Sequence, residues 1–166
     1  MTSYIRDFFD YNYWRNQRII SFARKVQPWQ YVAPTTCPFG SLHGTLTHVA
    51  MVEWLWRQRL SVGVSPTSMP DKAQFATLDM IVEWWAGEER DMRAFVNGLS
   101  DADLSSTRTY TLLGGTPKPV TDNLALALMH VVNHGTQHAG EMAQMLTDYG
   151  MSPGNIDVIY WLRERP

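Results

Sequence analysis

Three features of this sequence predict an all-α fold, a four-helix bundle closed by a short C-terminal helix. Apolar and aromatic side chains recur every three or four residues along four long segments, the period of a helix with one buried face. Breaks rich in proline and glycine separate those segments. At 166 residues, 45% of them hydrophobic, the chain can bury one sizeable core. It has no linker, repeat or low-complexity tract, so residues 1–166 read as a single domain.

The first long helix is expected from about Ser3 to Val26, on a stripe of Tyr4, Phe8, Tyr11, Arg15, Arg18/Ile19, Phe22 and Val26. Pro28, Pro34 and Pro38 then predict a loop. Ser41 is placed to cap a second helix through Leu42, Leu46, Val49, Glu53, Trp56 and Leu60, which GVSPTSMP ends. A third runs from about Thr77 to Leu99, with Leu78, Ile81, Trp85, Glu88, Met92 and Phe95 on one face. Between helices three and four, TRTYTLLGGTPKPVT (107–121) alternates around a Gly-Gly pair and predicts a small hairpin or ordered loop. The fourth helix begins at Thr121 or Asp122 and stops at Gly150, with Pro153 behind it. A short helix from about Ile156 to Arg163 closes the chain.

Charge and cysteine content exclude several classes of function. Fourteen basic against sixteen acidic residues leave a net charge of −2, no footprint for nucleic acid or an anionic membrane. Cys37 is the single cysteine, so neither an intrachain disulfide nor a thiolate metal site is available. The opening MTSYIRDFFDYNYW is polar and charged throughout, unlike a signal peptide, and no apolar run reaches the length of a bilayer span. The expected location is the cytoplasm. Walker loop, dinucleotide fingerprint and nucleophile elbow are all missing from the sequence.

The stretch HVVNHGTQHAGEM puts His130, His134 and His138 four residues apart on one helix. Histidine has no helix propensity that would favour this, so the face either builds a site or is a polar piece of core. His134 and His138, one turn apart, can share one ion. In a bundle His48 of the second helix is the natural third ligand. Three neutral imidazoles suit a divalent transition metal (zinc or nickel first, with iron or copper as further candidates) and leave a position for water or substrate. His130 stands a further turn away, since eight residues at 1.5 Å each span about 12 Å; it reads as a half-buried histidine bonded to a carbonyl or carboxylate. His43, five residues before His48, points about 140° away from it at the usual turn per residue.

The segments YNYWRNQRI, FGSLHGTLTHVAMVEWLW, HVVNHGTQHAGEMAQML and PGNIDVIYWLRER resemble, in order and over nearly the whole chain, the DinB superfamily. That resemblance implies a four-helix bundle, commonly a homodimer, with a divalent metal held by three histidines at the positions of His48, His134 and His138. It also implies two kinds of function. One is a metal-dependent transferase or isomerase that uses a low-molecular-weight thiol such as mycothiol, bacillithiol or glutathione against an electrophile, with a metal-dependent hydrolase as a variant. The other is a non-enzymatic metal-binding or stress-response protein. Relatives resemble His-Arg-Gly-Gln at the last ligand, where this chain reads His138-Ala139-Gly140-Glu141 and lacks the arginine.

Other polar residues interrupt the apolar stripes. Glu53 is either a catalytic carboxylate or fourth ligand, or a structural partner of Arg15, since buried charge is normally paired. Glu141, three residues after His138, is a candidate catalytic base or acceptor for an imidazole N–H, with a solvated surface glutamate as the alternative. Asn133 and Gln137 flank the same face. Trp54, Trp56, Trp84 and Trp85 read as core or dimer interface rather than as a substrate box.

Overall fold

The computed structural model describes residues 1–114 and 118–165. Among them the protein is mostly helical, with seven α-helices and one two-stranded sheet. The long helices are α1 (Thr2–Ala23), α3 (Leu42–Arg57), α4 (Leu78–Gly98) and α6 (Leu124–Asp148). Helix α1 packs on α6 and α4, and α3 packs on the same two helices. No helix among the described residues is long and apolar enough to cross a membrane.

The capping residues fall largely where the sequence puts them. Ser41 accepts from the Gly44 amide at 2.9 Å and Thr77 from Met80 at 3.3 Å, satisfying amides that a helix start leaves free. Gly150 ends α6 with φ 73°, the left-handed conformation that glycine takes without strain. Helix α7 (Val158–Glu164) lies against α1 through Trp161 and Tyr11, whose ring centroids are 6.2 Å apart.

Four expectations need correction. Helix α1 stops at Ala23; Tyr11, Arg15 and Ile19 of the expected stripe are buried, together with Ile5, Phe9, Asn12, Tyr13 and Asn16, while Tyr4 is 75% exposed and Phe8 38%. Aromatics at positions 4, 8, 9, 11, 13 and 14 supply two competing stripes, and spacing alone could not choose between them. The proline-marked loop contains α2 (Pro28–Val32), because a proline in the first turn lacks only an amide that needs no partner, and Gln27 and Gln30 close a capping box around it. A second short helix, α5 (Asp101–Ser105), follows α4 on a Ser100–Asp103 capping box. Helix α6 begins at Leu124, not at Thr121 or Asp122, which belong to a strand.

That strand is β2 (Pro119–Asn123), antiparallel to β1 (Thr107–Thr111), with Thr107 opposite Asn123 and Thr111 opposite Pro119. The pairing bears out the hairpin between the third and fourth long helices; 115–117, the middle of the predicted segment, lie outside the described residues. Asn123 ends the strand and caps the helix at once, its side-chain oxygen accepting from the Leu126 amide at 3.1 Å.

The core divides into two apolar halves. Ile5, Phe9, Tyr13, Met92, Val96, Leu128 and Val132 belong to one; Ile19, Leu42, Leu46, Ile81, Met142 and Leu146 belong to the other. On α1 and α6 the residues between the halves are polar and buried: Asn12, Arg15 and Asn16 on α1, His138 on α6. Glu53 of α3 and Glu88 of α4 are buried as well.

Candidate metal centre

Helices α3 and α6 run side by side and bring His48 against His134 and His138. The Nε2 atoms of His48 and His134 are 3.1 Å apart, and one ring nitrogen from each of the three histidines lies within 4.8 Å of the others. Two nitrogens bound at about 2.0–2.1 Å to one tetrahedral ion would stand roughly 3.3–3.4 Å apart. The donor set therefore fits a transition-metal ion in number, chemistry and spacing. His138 is 4% exposed, whereas His48 and His134 are half-buried, which leaves the cluster a side open to solvent.

His138 turns Nδ1 to Glu141, 2.8 Å from Oε2, so that Nδ1–H donates to the carboxylate and Nε2 is left as the lone-pair donor. Glu141 is itself half-buried, with 21% of its side chain exposed. Phe39 stacks flat on the His48 ring at 3.6 Å and meets the His138 ring edge-on at 5.2 Å. Burial, with the neighbouring His138 and Lys72 charges, pushes the His48 pKa down to about 4. Burial and the other three histidines of the cluster region push His134 down to about 3. Both rings are thus held neutral, the form that coordinates metal.

Two glycines let the backbone build this arrangement. A Cβ on Gly44 would stand 2.0 Å from the Phe39 carbonyl oxygen, so only glycine lets the chain fold back over the start of α3 and place Phe39 on His48. A Cβ on Gly135, beside His134, would meet Arg15 Nη2 at 2.5 Å and Asn12 Oδ1 at 2.9 Å. Arg15, fully buried, crosses there and donates to Thr136 Oγ1 at 2.6 Å. Helix α1 thereby grips α6 beside His134 and His138.

The remaining candidates scatter. His130 is exposed rather than half-buried, with its ring against Trp56 at 5.0 Å and 6.0 Å from the His134 ring. His43 is outside the cluster, as its spacing indicates, and bonds the Phe75 carbonyl at 2.7 Å. Asn133 and Gln137 are exposed. Trp85 is buried core, and Trp54, Trp56 and Trp84 are half-buried.

Glu53 is 4% exposed and does not meet Arg15 directly. It accepts from Tyr13 Oη at 2.6 Å and from Asn12 Nδ2 at 3.3 Å, while Asn12 Oδ1 accepts from Arg15 Nη2. One asparagine bridges the two charges that the sequence reading paired. Desolvation outweighs these hydrogen bonds and raises the Glu53 pKa to about 7. Sequence reasoning missed Phe39, in the turn before α3, and Lys72, which opens a one-turn 3-10 helix (Lys72–Phe75) too short to show a period; the close Phe39, Gly40 and Gly44 in FGSLHG were the available signal.

Compared with known families, residues 1–164 match the DinB family. No curated protein matches the chain.

Proposed function

The chain belongs to the DinB family, and from that premise we propose that His48, His134 and His138 hold one divalent transition-metal ion, zinc or nickel first, in a four-helix bundle that works as a homodimer. The observation that carries this reading is the convergence of three ring nitrogens from two helices within 4.8 Å, two of them 3.1 Å apart. The bundle rests on α1 and α3 each packing on both α4 and α6. The homodimer rests on large side chains left exposed, including Tyr4 on α1, Leu126 and Met129 on α6 and Ile159 and Leu162 on α7.

The chemistry we propose is transfer of a low-molecular-weight thiol to an electrophile. A divalent ion would supply the acidity, since coordination deprotonates a thiol whose free pKa is about 8.5. The reaction forms a carbon–sulfur bond and breaks the electrophile's bond to its leaving group; the thiol proton leaves to solvent, and the leaving group departs with the electron pair. The protein's own residues orient. Glu141 keeps the His138 proton on Nδ1 and so fixes which nitrogen faces the centre. Phe39 covers one face of His48 and limits the approach of water.

The test measures metal content first, then turnover of mycothiol, bacillithiol and glutathione with a panel of electrophiles by loaded, stripped and His138→Ala protein. Metal-dependent thiol consumption supports the transferase. Metal binding without turnover transfers support to a metal-binding or stress-response role, and metal-dependent hydrolysis without thiol to a hydrolase. Equal turnover by loaded and stripped protein discards the mechanism.

A further inference from the structure

We propose that the cleft beside His48 binds a small amphipathic anion, an apolar body carrying one negative group, and that this is the class of second substrate presented to the centre. The cleft holds about 340 Å³, within the range of small-molecule sites. Met51 and Val52 of α3, Met69 of the following segment and Leu113 from the end of the hairpin give it apolar walls. His48 lines it too, and Lys72 is its charged lining residue.

Each property narrows the occupant. One face of the His48 ring is covered by Phe39, so a molecule in the cleft reaches the histidine from elsewhere. Methionine side chains adapt to varied apolar shapes and favour a soft, hydrocarbon-like body. Lys72 sets the sign of the charge, favouring anions and disfavouring cations. The neighbouring cleft on the His130 side, about 390 Å³, has Asp122 among its lining residues and none of the three clustered histidines, and so selects against the same ligand.

The inference rests on the metal-centre reading only for what the bound molecule meets; binding itself needs no ion. That separates the two in an experiment. Octanoate, octyltrimethylammonium and acetate are titrated calorimetrically into chelator-stripped protein. Octanoate should bind at one site per chain, more than about tenfold tighter than acetate because its methylenes leave water. It should bind about two- to fivefold tighter than the ammonium probe, the scale of an exposed ion pair. Lys72→Gln should erase that preference.

Val52→Trp fills the cleft from α3, and Met69→Trp fills it from the loop should the first variant not fold; each should weaken octanoate binding about tenfold or more. Octanoate that ignores both tryptophan variants, or that binds no better than the cation, overturns the proposal. Failure of wild-type protein to take up an ion would instead overturn the metal-centre reading.

Discussion

Glu53 and His138 are both polar groups in a helical core, and they meet its cost differently. His138 is matched with a carboxylate, Glu141, on its own helix. Glu53 accepts from a phenol and an amide, and burial raises its pKa to about 7 from an ordinary 4.5. A carboxyl raised in this way contributes stability that is full below its unfolded value and is lost as pH rises through about 7. His48 and His134, pushed down to about 4 and 3, contribute stability present above 6.5 and lost as pH falls through those values. Metal-free protein should therefore be most stable near neutrality. Thermal melts of wild type and Glu53→Gln across pH 4 to 9 should show the difference between them changing from about pH 4.5 to 7 and constant above, with the acid decline from the histidines retained in both; a difference that does not change with pH would refute the assignment.

Single substitutions of the three histidines are the direct test of the proposed centre. Alanine at His48, His134 or His138 should abolish stoichiometric metal by elemental analysis, while His43→Ala, whose ring serves Phe75, should keep it. Full occupancy in His134→Ala would sink the triad. Glu141→Gln should weaken metal affinity by about 10- to 100-fold, the usual consequence of losing the partner of a ligating imidazole. Competition with a chromogenic chelator measures it, and unchanged affinity would make Glu141 a surface residue in function.

At the scale of elements, the position of α6 depends on Gly135. Its missing side chain leaves room for Arg15 and Asn12, which tie α1 to α6 beside His134. Gly135→Ala would force a fully buried guanidinium aside or push the helices apart, at a cost of about 1–3 kcal/mol, the range for overpacking a filled core. Denaturant unfolding should show that loss with an accompanying drop in metal affinity. Gly140→Ala, where an added Cβ meets no neighbour, is the matched control and should be neutral or slightly stabilising from helix propensity. Equal effects of the two substitutions would show that the close contact does not matter.

At the scale of the whole molecule, an ion held as proposed between α3 and α6 would bind the folded state in preference to the unfolded one, so loading should raise the melting temperature in a concentration-dependent way. A chelated sample melting at the same temperature as the loaded one would contradict a site built between two helices. Light scattering at micromolar concentration should give twice the chain mass, and a monomer mass would end the homodimer reading.

Much of this protein was determined by sequence alone. The four long helices, the cap at Ser41, the stop at Gly150 and the hairpin follow from period and from residues with strong local preferences. The triad was legible because His134 and His138 sit one turn apart, a relation fixed by helix geometry before any packing occurs. Tertiary structure decided what local rules leave open. The burial of the first turns of α1 was one such choice: Tyr4 and Phe8 stay exposed while Phe9 and Tyr13 are buried, which contact with α4 and α6 decides. The exposure of His130, the asparagine between Glu53 and Arg15, and the stacking of Phe39 on His48 are likewise relations between segments distant in sequence. Spacing along one helix fixes a side chain's direction; what it meets there depends on which neighbours the whole core brings within reach.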